Sequence, residues 1–295
     1  MIQDIRPYHY KNEYHPVAPD EKSFLLCYDG RKVLVRHWDN EVIFPTFEEA
    51  EAGSDKDKLY KDYTYLFAID DMRFYLGNCI SYDSLNRQGI RRELPIADPA
   101  GEYVWEDTQI FRNANPKYMG FAGITGWQLH RWYESHRYCG RCGKLLVKDE
   151  KERMLYCPEC HNMEYPKICP AVIIAVTHGD RLLMSKYAGR EYKKYALLAG
   201  FAEVGETIEE TVKREVMEEV GLKVKNITYY KSQPWSFTDT LLLGFFCELD
   251  GEEHITLDLE ELALAEWFER EEIPVKPEDC SLTNEMMMAF KNGIK

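Results

Sequence analysis

Residues 200–222 read GFAEVGETIEETVKREVMEEVGL, and this stretch determines the fold of the C-terminal part of the chain. Thr207 can cap a helix, with Glu210 as its reciprocal capping-box partner three residues later. Gly221 suits the left-handed position that ends a helix. Between the caps, apolar residues recur at every fourth position: Ile208, Val212, Val216 and Val220. The pattern predicts an amphipathic helix between Thr207 and Gly221.

Three glutamates of this predicted helix, Glu215, Glu218 and Glu219, crowd one face. At about 100° per residue, Glu219 lies ~40° from Glu215 on one side and Glu218 ~60° on the other. Like charges at these spacings repel, whereas divalent cations need oxygen ligands and can then bind phosphate oxygens and activate a water. We therefore predict a catalytic metal site, the alternative being a solvated acidic face. Arg214 is expected to pair with Glu206 and hold the preceding loop.

Four of the nine cysteines form two Cys-x-x-Cys pairs with fourteen residues between them: Cys139, Cys142, Cys157 and Cys160. Each pair lies in a turn-like setting, so both of its thiolates can face one cation. Four thiolates make the closed tetrahedral shell of structural zinc, and we predict one such zinc per chain. The alternative, two redox or disulfide pairs, is disfavoured in a reducing cytosol. The scattered cysteines are interpreted as small core residues: Cys27, Cys79, Cys169, Cys247 and Cys280.

The composition is that of a folded, soluble protein, with 45% hydrophobic and 30% charged residues among 295. The longest apolar runs are strand-sized, well short of the ~20 residues of a membrane span. The N-terminal MIQDIRPYHY has no apolar signal core, so a cytoplasmic location is expected. A net charge of -14 argues against a broad polyanion-binding surface and is compatible with an acidic metal site.

Local patterns divide the chain into three predicted domains: residues 1–135, 136–165 and 166–295. The first opens with a hairpin over residues 24–35 that turns at Asp29-Gly30. The acidic, lysine-rich stretch 48–62 is expected to be an exposed helix or loop. Further strands are predicted at residues 63–69, 73–76, 171–177, 181–186, 195–199, 227–231 and 241–249, and further helices at 126–136, 260–265 and 284–291.

The stretch 200–222 resembles the Nudix box at every defining position: Gly200, Glu206, Arg214, Glu215, Val216, Glu218, Glu219, Gly221 and Leu222. This resemblance implies an α/β/α sandwich with a mixed sheet and cleavage of a nucleoside diphosphate compound. The order of domains is similar to that of the NADH pyrophosphatase family, in which an N-terminal α+β domain and a four-cysteine zinc ribbon precede the Nudix domain.

A second segment, Ser232 to Thr240, resembles that family's signature SQPWPFPxS. Five residues match: Ser232, Gln233, Pro234, Trp235 and Phe237. Ser236 and Thr238 replace prolines, and Thr240 replaces serine. Because proline restricts the backbone, we expect the dinucleotide-binding loop to be looser here. The alternative interpretation is an ordinary strand-entry loop with a packed tryptophan.

The resemblance also implies roles for individual residues. Glu215 and Glu219 would bind catalytic Mg²⁺ or Mn²⁺, and Glu218 would be a further ligand or assist the attacking water. Glu261, beyond the box, matches an additional metal-binding glutamate, and the carbonyl of Ala199 matches a backbone ligand. Two aromatic residues match positions that hold a base by stacking: Tyr165 and Phe201.

The reaction implied is hydrolysis of NADH or NAD to nicotinamide mononucleotide and AMP by a homodimer. NAD-capped RNA is a further implied substrate. Two alternatives remain open. The altered signature favours another pyrophosphate, such as ADP-ribose or a dinucleoside polyphosphate. The second alternative is a non-catalytic Nudix-like sensor. Such a sensor would be expected to have lost parts of the box, whereas the box is intact here.

Overall fold

The structure, a computed structural model, describes residues 1–51, 59, 63–77, 101–189 and 194–295. The chain divides into two compact units. One is Asp4–Lys167, and the other joins Met1–Gln3 to Ile168–Lys295. Of the helices in the described ranges, none is both long and apolar enough to cross a membrane.

The N-terminal part of the unit Asp4–Lys167 contains two small sheets and a long helix. Its described strands are β1 (Tyr10–Lys11), β2 (Phe24–Leu26), β3 (Tyr28–Asp29), β4 (Lys32–Trp38), β5 (Glu41–Ile43), β6 (Tyr63–Ile69), β7 (Met72–Gly77) and β8 (Val104–Asp107). Its described helices are α1 (Phe47–Glu51), a 3-10 helix (Thr108–Arg112) and α2 (Lys117–Ser135). One sheet has the order β1-β6-β7-β2, and the other joins β3-β4-β5, with β8 beside β4. This mixture of helices and mainly antiparallel strands confirms the predicted α+β class.

The predicted hairpin at residues 24–35 forms only in part. Strands β3 and β4 pair around Asp29-Gly30, where Gly30 has the positive φ (60°) that the turn requires. β2 instead pairs in parallel with β7, in the other sheet. The strands predicted at 63–69 and 73–76 are β6 and β7. Of the stretch 48–62, residues 52–58 and 60–62 lie outside the described residues, as does Cys79.

The cysteine-rich segment of the same unit forms a three-stranded sheet of order β11-β10-β9. Its strands are β9 (Val147–Lys148), β10 (Leu155–Tyr156) and β11 (Met163–Glu164). Two cations attach this small sheet to the N-terminal part of the unit. The Lys148 ammonium donates to the carbonyl of Tyr63 at 3.5 Å, and the Arg153 guanidinium donates to the carbonyl of Asn12 at 3.0 Å.

The unit containing Ile168–Lys295 has a mixed sheet between two helices. Its described strands are β12 (Cys169–His178), β13 (Arg181–Tyr187), β14 (Leu198–Phe201), β15 (Val224–Trp235), β16 (Thr240–Leu249) and β17 (Leu262–Glu269), and its described helices are α3 (Ile208–Val220), a 3-10 helix (Arg270–Glu272) and α4 (Leu282–Lys291). The strand order is β15-β16-β12-β13-β17, with β14 also beside β12. β12 and β16 run parallel, and the other pairs are antiparallel.

Alternate residues of β12 fill the two cores of this unit. Val172 and Ile174 lie in a cluster with Val212 and Val216 of α3. Ile173 lies in a second cluster, which contains buried residues of α4. Because successive side chains of a strand point to opposite faces, the sheet is covered on both sides. This arrangement confirms the predicted α/β/α sandwich.

One predicted element is wrong. Residues 260–265 were expected to be helical, but Leu262 begins strand β17, which pairs with β13 from Leu262↔Tyr187 to Glu269↔Arg181. Glu, Leu and Ala favour helices by small amounts, and a row of backbone hydrogen bonds to a core strand overrides that preference. Glu261 lies in the turn that precedes β17.

Candidate active site and zinc centre

Helix α3 begins and ends where the sequence predicts. The Thr207 side chain accepts from the N–H of Glu210 at 3.3 Å, and the Glu210 carboxylate accepts from the N–H of Thr207 at 2.8 Å. Gly221 is left-handed at φ 70°, and its N–H bonds back to the carbonyl of Met217. These caps confirm the predicted start and end of α3.

Arg214 connects the charged groups of the site. Its guanidinium donates to Glu206 at 2.5 and 3.0 Å, to Glu215 at 2.7 Å and to Glu218 at 2.9 Å. A further N–H donates to the carbonyl of Phe201 at 2.9 Å. The structure thus contains the expected contact with Glu206 and adds contacts with two glutamates of the helix.

Glu206 anchors the loop before α3. The hydrogen bonds from Arg214, with others from the Glu203 N–H and the Thr211 hydroxyl, lower the pKa of Glu206 to about 2. In return, the pKa of Arg214 is raised above its ordinary value, first of all by Glu206. Sequence reasoning missed Thr211, which is fully buried and donates to Glu206 at 2.9 Å. The signal that could have found it was a hydroxyl placed beside the apolar stripe of the helix.

Two carboxylates of the site are buried. Glu215 is 8% exposed and Glu219 is 2% exposed. Burial raises the pKa of Glu215, the Arg214 guanidinium opposes that shift, and the charges of Glu218 and Glu261 add to it. Glu261, in the turn before β17, is thus near enough for its charge to act on Glu215.

Backbone hydrogen bonds hold Glu261 in this position. The N–H of Asp258 donates to the carbonyl of Glu219 at 2.9 Å, which ties the segment before β17 to the end of α3. The N–H of Ala188 donates to the carbonyl of Glu261 at 2.8 Å. On the other side, the N–H of Ala199 donates to the Glu219 carboxylate at 3.4 Å. The backbone of Ala199 therefore lies beside the Glu219 carboxylate, and the role of its carbonyl as a metal ligand stays a prediction.

Strand β14 passes tightly against Glu215. A Cβ atom added to Gly200 would lie 1.8 Å from the carboxyl carbon of Glu215, far inside van der Waals contact. Only glycine, which has no Cβ, therefore allows the backbone of β14 to lie this close to the carboxylate. The carboxylates of Glu215 and Glu219 both lie beside β14, and such oxygens are the hard donors that Mg²⁺ and Mn²⁺ prefer. The residues present therefore fit a divalent cation.

We predict that Gly200→Ala weakens divalent metal binding while the fold persists. The added methyl group must displace the Glu215 carboxylate, which is the end of a flexible side chain and can move at little cost to stability. Calorimetric titration with Mn²⁺ should show a Kd raised at least about tenfold, which corresponds to ~1.4 kcal/mol. An unchanged Kd in a well-folded variant would show that Glu215 does not take part in metal binding.

The four predicted zinc ligands come together in the cysteine-rich segment. Their sulfur atoms all lie within 4.8 Å of one another: Cys139, Cys142, Cys157 and Cys160. Four sulfurs around zinc at ~2.3 Å would be separated by ~3.8 Å, so this cluster fits a tetrahedral Zn²⁺. The scattered cysteines within the described residues, by contrast, lie elsewhere, and Cys27, Cys247 and Cys280 are buried.

Backbone geometry prepares the cysteine turns for a metal. In the first turn, the N–H of Gly143 bonds to the carbonyl of Cys139 at 2.9 Å, and Gly143 has a positive φ of 72°. Burial of the Cys139 thiol opposes its ionisation, but N–H groups of Cys142 and Arg141 stabilise the thiolate and lower the Cys139 pKa to about 7. At Cys142 the N–H of Lys144 acts in the same direction, but the neighbouring sulfurs, that of Cys157 first, raise the pKa to about 12, so only part of the cluster favours thiolates before a cation binds.

The two aromatic residues predicted to hold a base are exposed. Tyr165 is 53% exposed, and its hydroxyl donates to the Glu152 carboxylate at 2.9 Å. Phe201 is 54% exposed at the end of β14. Each ring therefore offers a face to solvent within its own unit, which is the requirement for stacking on a base.

The signature segment forms a strand and a tight turn. Residues 232–235 belong to β15, residues 236–239 form a turn, and Thr240 begins β16. The Thr238 N–H donates to the carbonyl of Trp235 at 3.2 Å, and the Thr240 hydroxyl donates to the carbonyl of Thr238 at 3.0 Å. These bonds constrain the turn where the family's prolines are missing. The expected loosening of this segment therefore stays a prediction, which the two bonds oppose.

The side chains of this segment differ widely in exposure. Gln233, Ser236 and Phe237 are buried, whereas Pro234 is exposed and Trp235 is half-buried. The rings of Trp235 and Phe237 lie 4.8 Å apart between centroids, tilted by 46°. Among the residues that match the signature, Pro234 is therefore the most exposed, and Phe237 packs against the half-buried indole of Trp235.

Two family models match parts of this chain, and several known proteins are similar to it. Residues 167–289 match the model of the NUDIX domain, and residues 134–165 match that of the NADH pyrophosphatase zinc ribbon domain. The chain is 37% identical over 210 residues to an NAD-capped RNA hydrolase NudC of Escherichia coli O1:K1, covering 68% of this chain and 80% of the relative. NudC of Escherichia coli strain SMS-3-5 matches to the same extent. A solved NUDIX hydrolase from Nitrosomonas europaea has a TM-score of 0.45 at 22% identity, covering 53% of this chain and 91% of that one.

The sandwich with its intact box defines the class, and the chain is a Nudix hydrolase. Two findings identify the family within this class: the zinc ribbon that precedes the Nudix domain and the extent of the NudC match. The chain belongs to the NADH pyrophosphatase family.

Proposed function

We propose that this enzyme hydrolyses the pyrophosphate bond of NADH and NAD to nicotinamide mononucleotide and AMP. The observation that carries the proposal is the cluster of buried Glu215 and Glu219 with Glu218 and Glu261, beside a strand that only glycine allows to pass. The 37% identity to NAD-capped RNA hydrolases supports the choice of substrate.

The carboxylates have separate roles in this proposal. Glu215, Glu219 and Glu261, with the carbonyl of Ala199, would hold Mg²⁺ or Mn²⁺. Such a cation, when bound, neutralises charge on the phosphate oxygens and favours ionisation of a water. Glu218, the most exposed of the α3 cluster at 58% of its side chain, would accept a proton from that water or complete the ligand set.

Arg214 and Glu206 would act on the geometry of the site. Because Arg214 donates to Glu206, Glu215 and Glu218 at once, it fixes the side chains of two α3 glutamates relative to the loop. A preorganised arrangement needs little rearrangement during the reaction, and that reduces its barrier. Both residues therefore belong to the catalytic apparatus as positioning groups.

The substrate's bases and ribose units would be bound by the aromatic residues and the signature hairpin. We propose that Tyr165 and Phe201 offer stacking faces, and their exposure supports this role. The hairpin contributes five matching residues: Ser232, Gln233, Pro234, Trp235 and Phe237. Of these, Pro234 is exposed, Ser232 and Trp235 are half-buried, and the buried Gln233 and Phe237 would support them.

We also propose the larger organisation of the protein. Residues 1–135, 136–165 and 166–295 would form an N-terminal domain, a zinc ribbon and a Nudix domain, a division supported by the matched ranges 134–165 and 167–289. One structural zinc per chain, a homodimer and a cytoplasmic location complete the proposal. A reducing compartment would keep the four zinc-binding thiols available.

Two further substrates have specific support. The relatives are named NAD-capped RNA hydrolases, which favours NAD-capped RNA. Ser236 and Thr238 stand where the family signature has prolines, which favours a compound whose second half differs from that of NAD, such as ADP-ribose.

A substrate panel tests these proposals together. Values of kcat/KM should be measured for NADH, NAD, ADP-ribose, a dinucleoside polyphosphate and NAD-capped RNA. We expect NADH or NAD to rank first among the small molecules. If ADP-ribose is cleaved at least about tenfold more efficiently than both, which is ~1.4 kcal/mol of barrier, the second substrate class replaces the first.

The signature turn gives a further prediction. Thr238→Pro restores a family proline but removes the N–H that bonds to Trp235, so KM for NADH should rise roughly threefold, the equivalent of one ordinary hydrogen bond. Thr238→Ala keeps the N–H and loses only the hydroxyl contact with Thr240, so its KM should change less. A lower KM for Thr238→Pro would mean that the proline constrains this turn better than its hydrogen bonds do.

A further inference from the structure

Gln233 is the most enclosed polar residue of the signature hairpin. Its side chain is 0% exposed. Its amide nitrogen donates to the carbonyl of Cys280 at 2.8 Å, and its carbonyl oxygen accepts from the N–H of Leu282 at 2.7 Å. Since the Cys280 carbonyl can only accept and the Leu282 N–H can only donate, the orientation of the amide is fixed.

Three segments of one unit meet at this amide. The second donor bond of Gln233 goes to the side-chain oxygen of Gln3 at 3.2 Å. Gln3 in turn donates to the carbonyl of Ser232 at 3.4 Å. Leu282 is the first residue of α4, so β15, the start of α4 and the segment Met1–Gln3 are joined through one side chain. Both N–H groups and the carbonyl of Gln233 are engaged, and no part of it is accessible to a substrate.

We propose that Gln233 is a positioning residue that holds the Pro234–Phe237 hairpin for the dinucleotide without touching it. The inference rests on the proposed function, in which this hairpin contacts the substrate. Pro234 and Trp235 follow Gln233 directly, so an anchor at Gln233 limits their freedom. The carboxylates lie on α3 and on the turn before β17, elements that Gln233 does not contact through these bonds. Gln233 therefore acts on substrate affinity, not on the chemical step.

Gln233→Leu in the full-length protein tests this role, since leucine fills a similar volume and removes all three bonds. KM for NADH should rise roughly tenfold, because a freer hairpin loses more entropy on binding, while kcat stays within about twofold. Amide hydrogen exchange by NMR should show loss of protection at Leu282. Val176→Ala, a core change toward the opposite end of β12, is the stability control and should leave KM and the exchange of Leu282 unchanged.

Gln233→Glu is the second variant, in case leucine prevents folding. It keeps the acceptor for Leu282 but places a carboxylate beside the Cys280 carbonyl. A protonated carboxyl can donate to that carbonyl and an ionised one cannot. The ratio of its KM to the wild-type KM should therefore fall as the pH is lowered from about 8 to about 6, toward the range in which a buried carboxyl takes up a proton. A merely structural role would not give this pH-dependent recovery of affinity.

Three results would overturn the inference: an unchanged KM in Gln233→Leu despite lost protection at Leu282, a fall in kcat with KM unchanged, or the same rise of KM in Val176→Ala. A wild-type protein that does not cleave NADH overturns the proposed substrate instead. In that case two measurements on Gln233→Leu decide the role of Gln233. They are KM for a panel compound that the wild type does cleave, and amide exchange at Leu282.

Discussion

Glu219→Gln is expected to lower kcat for NADH hydrolysis at least about a hundredfold, or ~2.7 kcal/mol of barrier. Glu219 is 2% exposed and lies beside the backbone of Ala199. Glutamine keeps the size of the side chain and one oxygen but loses the charge that holds a divalent cation. Because the change also removes repulsion with Glu215, thermal stability without metal should stay level or rise.

The matched control is Glu209→Gln, the same substitution on an exposed position of the same helix. It changes the net charge equally and should leave kcat and KM unaffected. Steady-state kinetics at saturating Mg²⁺ and Mn²⁺ compare the two variants. If Glu219→Gln retains turnover within about tenfold of wild type, less than ~1.4 kcal/mol, its carboxylate is not a ligand of the catalytic metal.

Cys157→Ser is expected to abolish stoichiometric zinc binding and to destabilise the unit Asp4–Lys167. Cys157 is fully buried, and its sulfur lies 3.4 Å from that of Cys142. Loss of one thiolate opens a closed shell whose metal contributes directly to folding. Because Lys148 and Arg153 attach the zinc-binding sheet to the N-terminal part of the same unit, the destabilisation should extend beyond that sheet.

Cys169→Ser is the control, since Cys169 lies outside the four-sulfur cluster. Metal analysis should give one zinc per chain in the wild type and in this control. EDTA should remove activity before it removes zinc, because oxygen-ligated metal sites are open to water and closed thiolate sites are not. Wild-type protein purified without chelator that contains no zinc would contradict the assignment of this centre.

The parts of the site that sequence could predict are those encoded locally. The caps at Thr207 and Gly221 and the glutamates between them follow from positions within one helix. The four cysteines are similar, because each pair occupies one short turn. In these cases a fixed spacing along the chain becomes a fixed geometry in space, whatever surrounds it.

The parts that could not be predicted depend on distant partners. The composition of residues 260–265 suits a helix, but residues 262–265 pair with β13 in a sheet, and residues 260–261 form the preceding turn. For the same reason, β2 does not join the expected hairpin but pairs with β7. The burial of Gln233 requires Gln3, Cys280 and Leu282, which are far apart in sequence. Local preferences are too weak to reveal such pairings in advance.

The most direct measurement is the identification, by mass spectrometry, of the products formed from NADH with Mg²⁺ or Mn²⁺. It is made on the full-length protein, on Glu219→Gln and on Glu209→Gln. We predict reduced nicotinamide mononucleotide and AMP in equal amounts from the wild type and from Glu209→Gln, with the metal required and Glu219→Gln nearly inactive. Intact NADH under all conditions, or release of nicotinamide with an undivided pyrophosphate, would contradict this prediction.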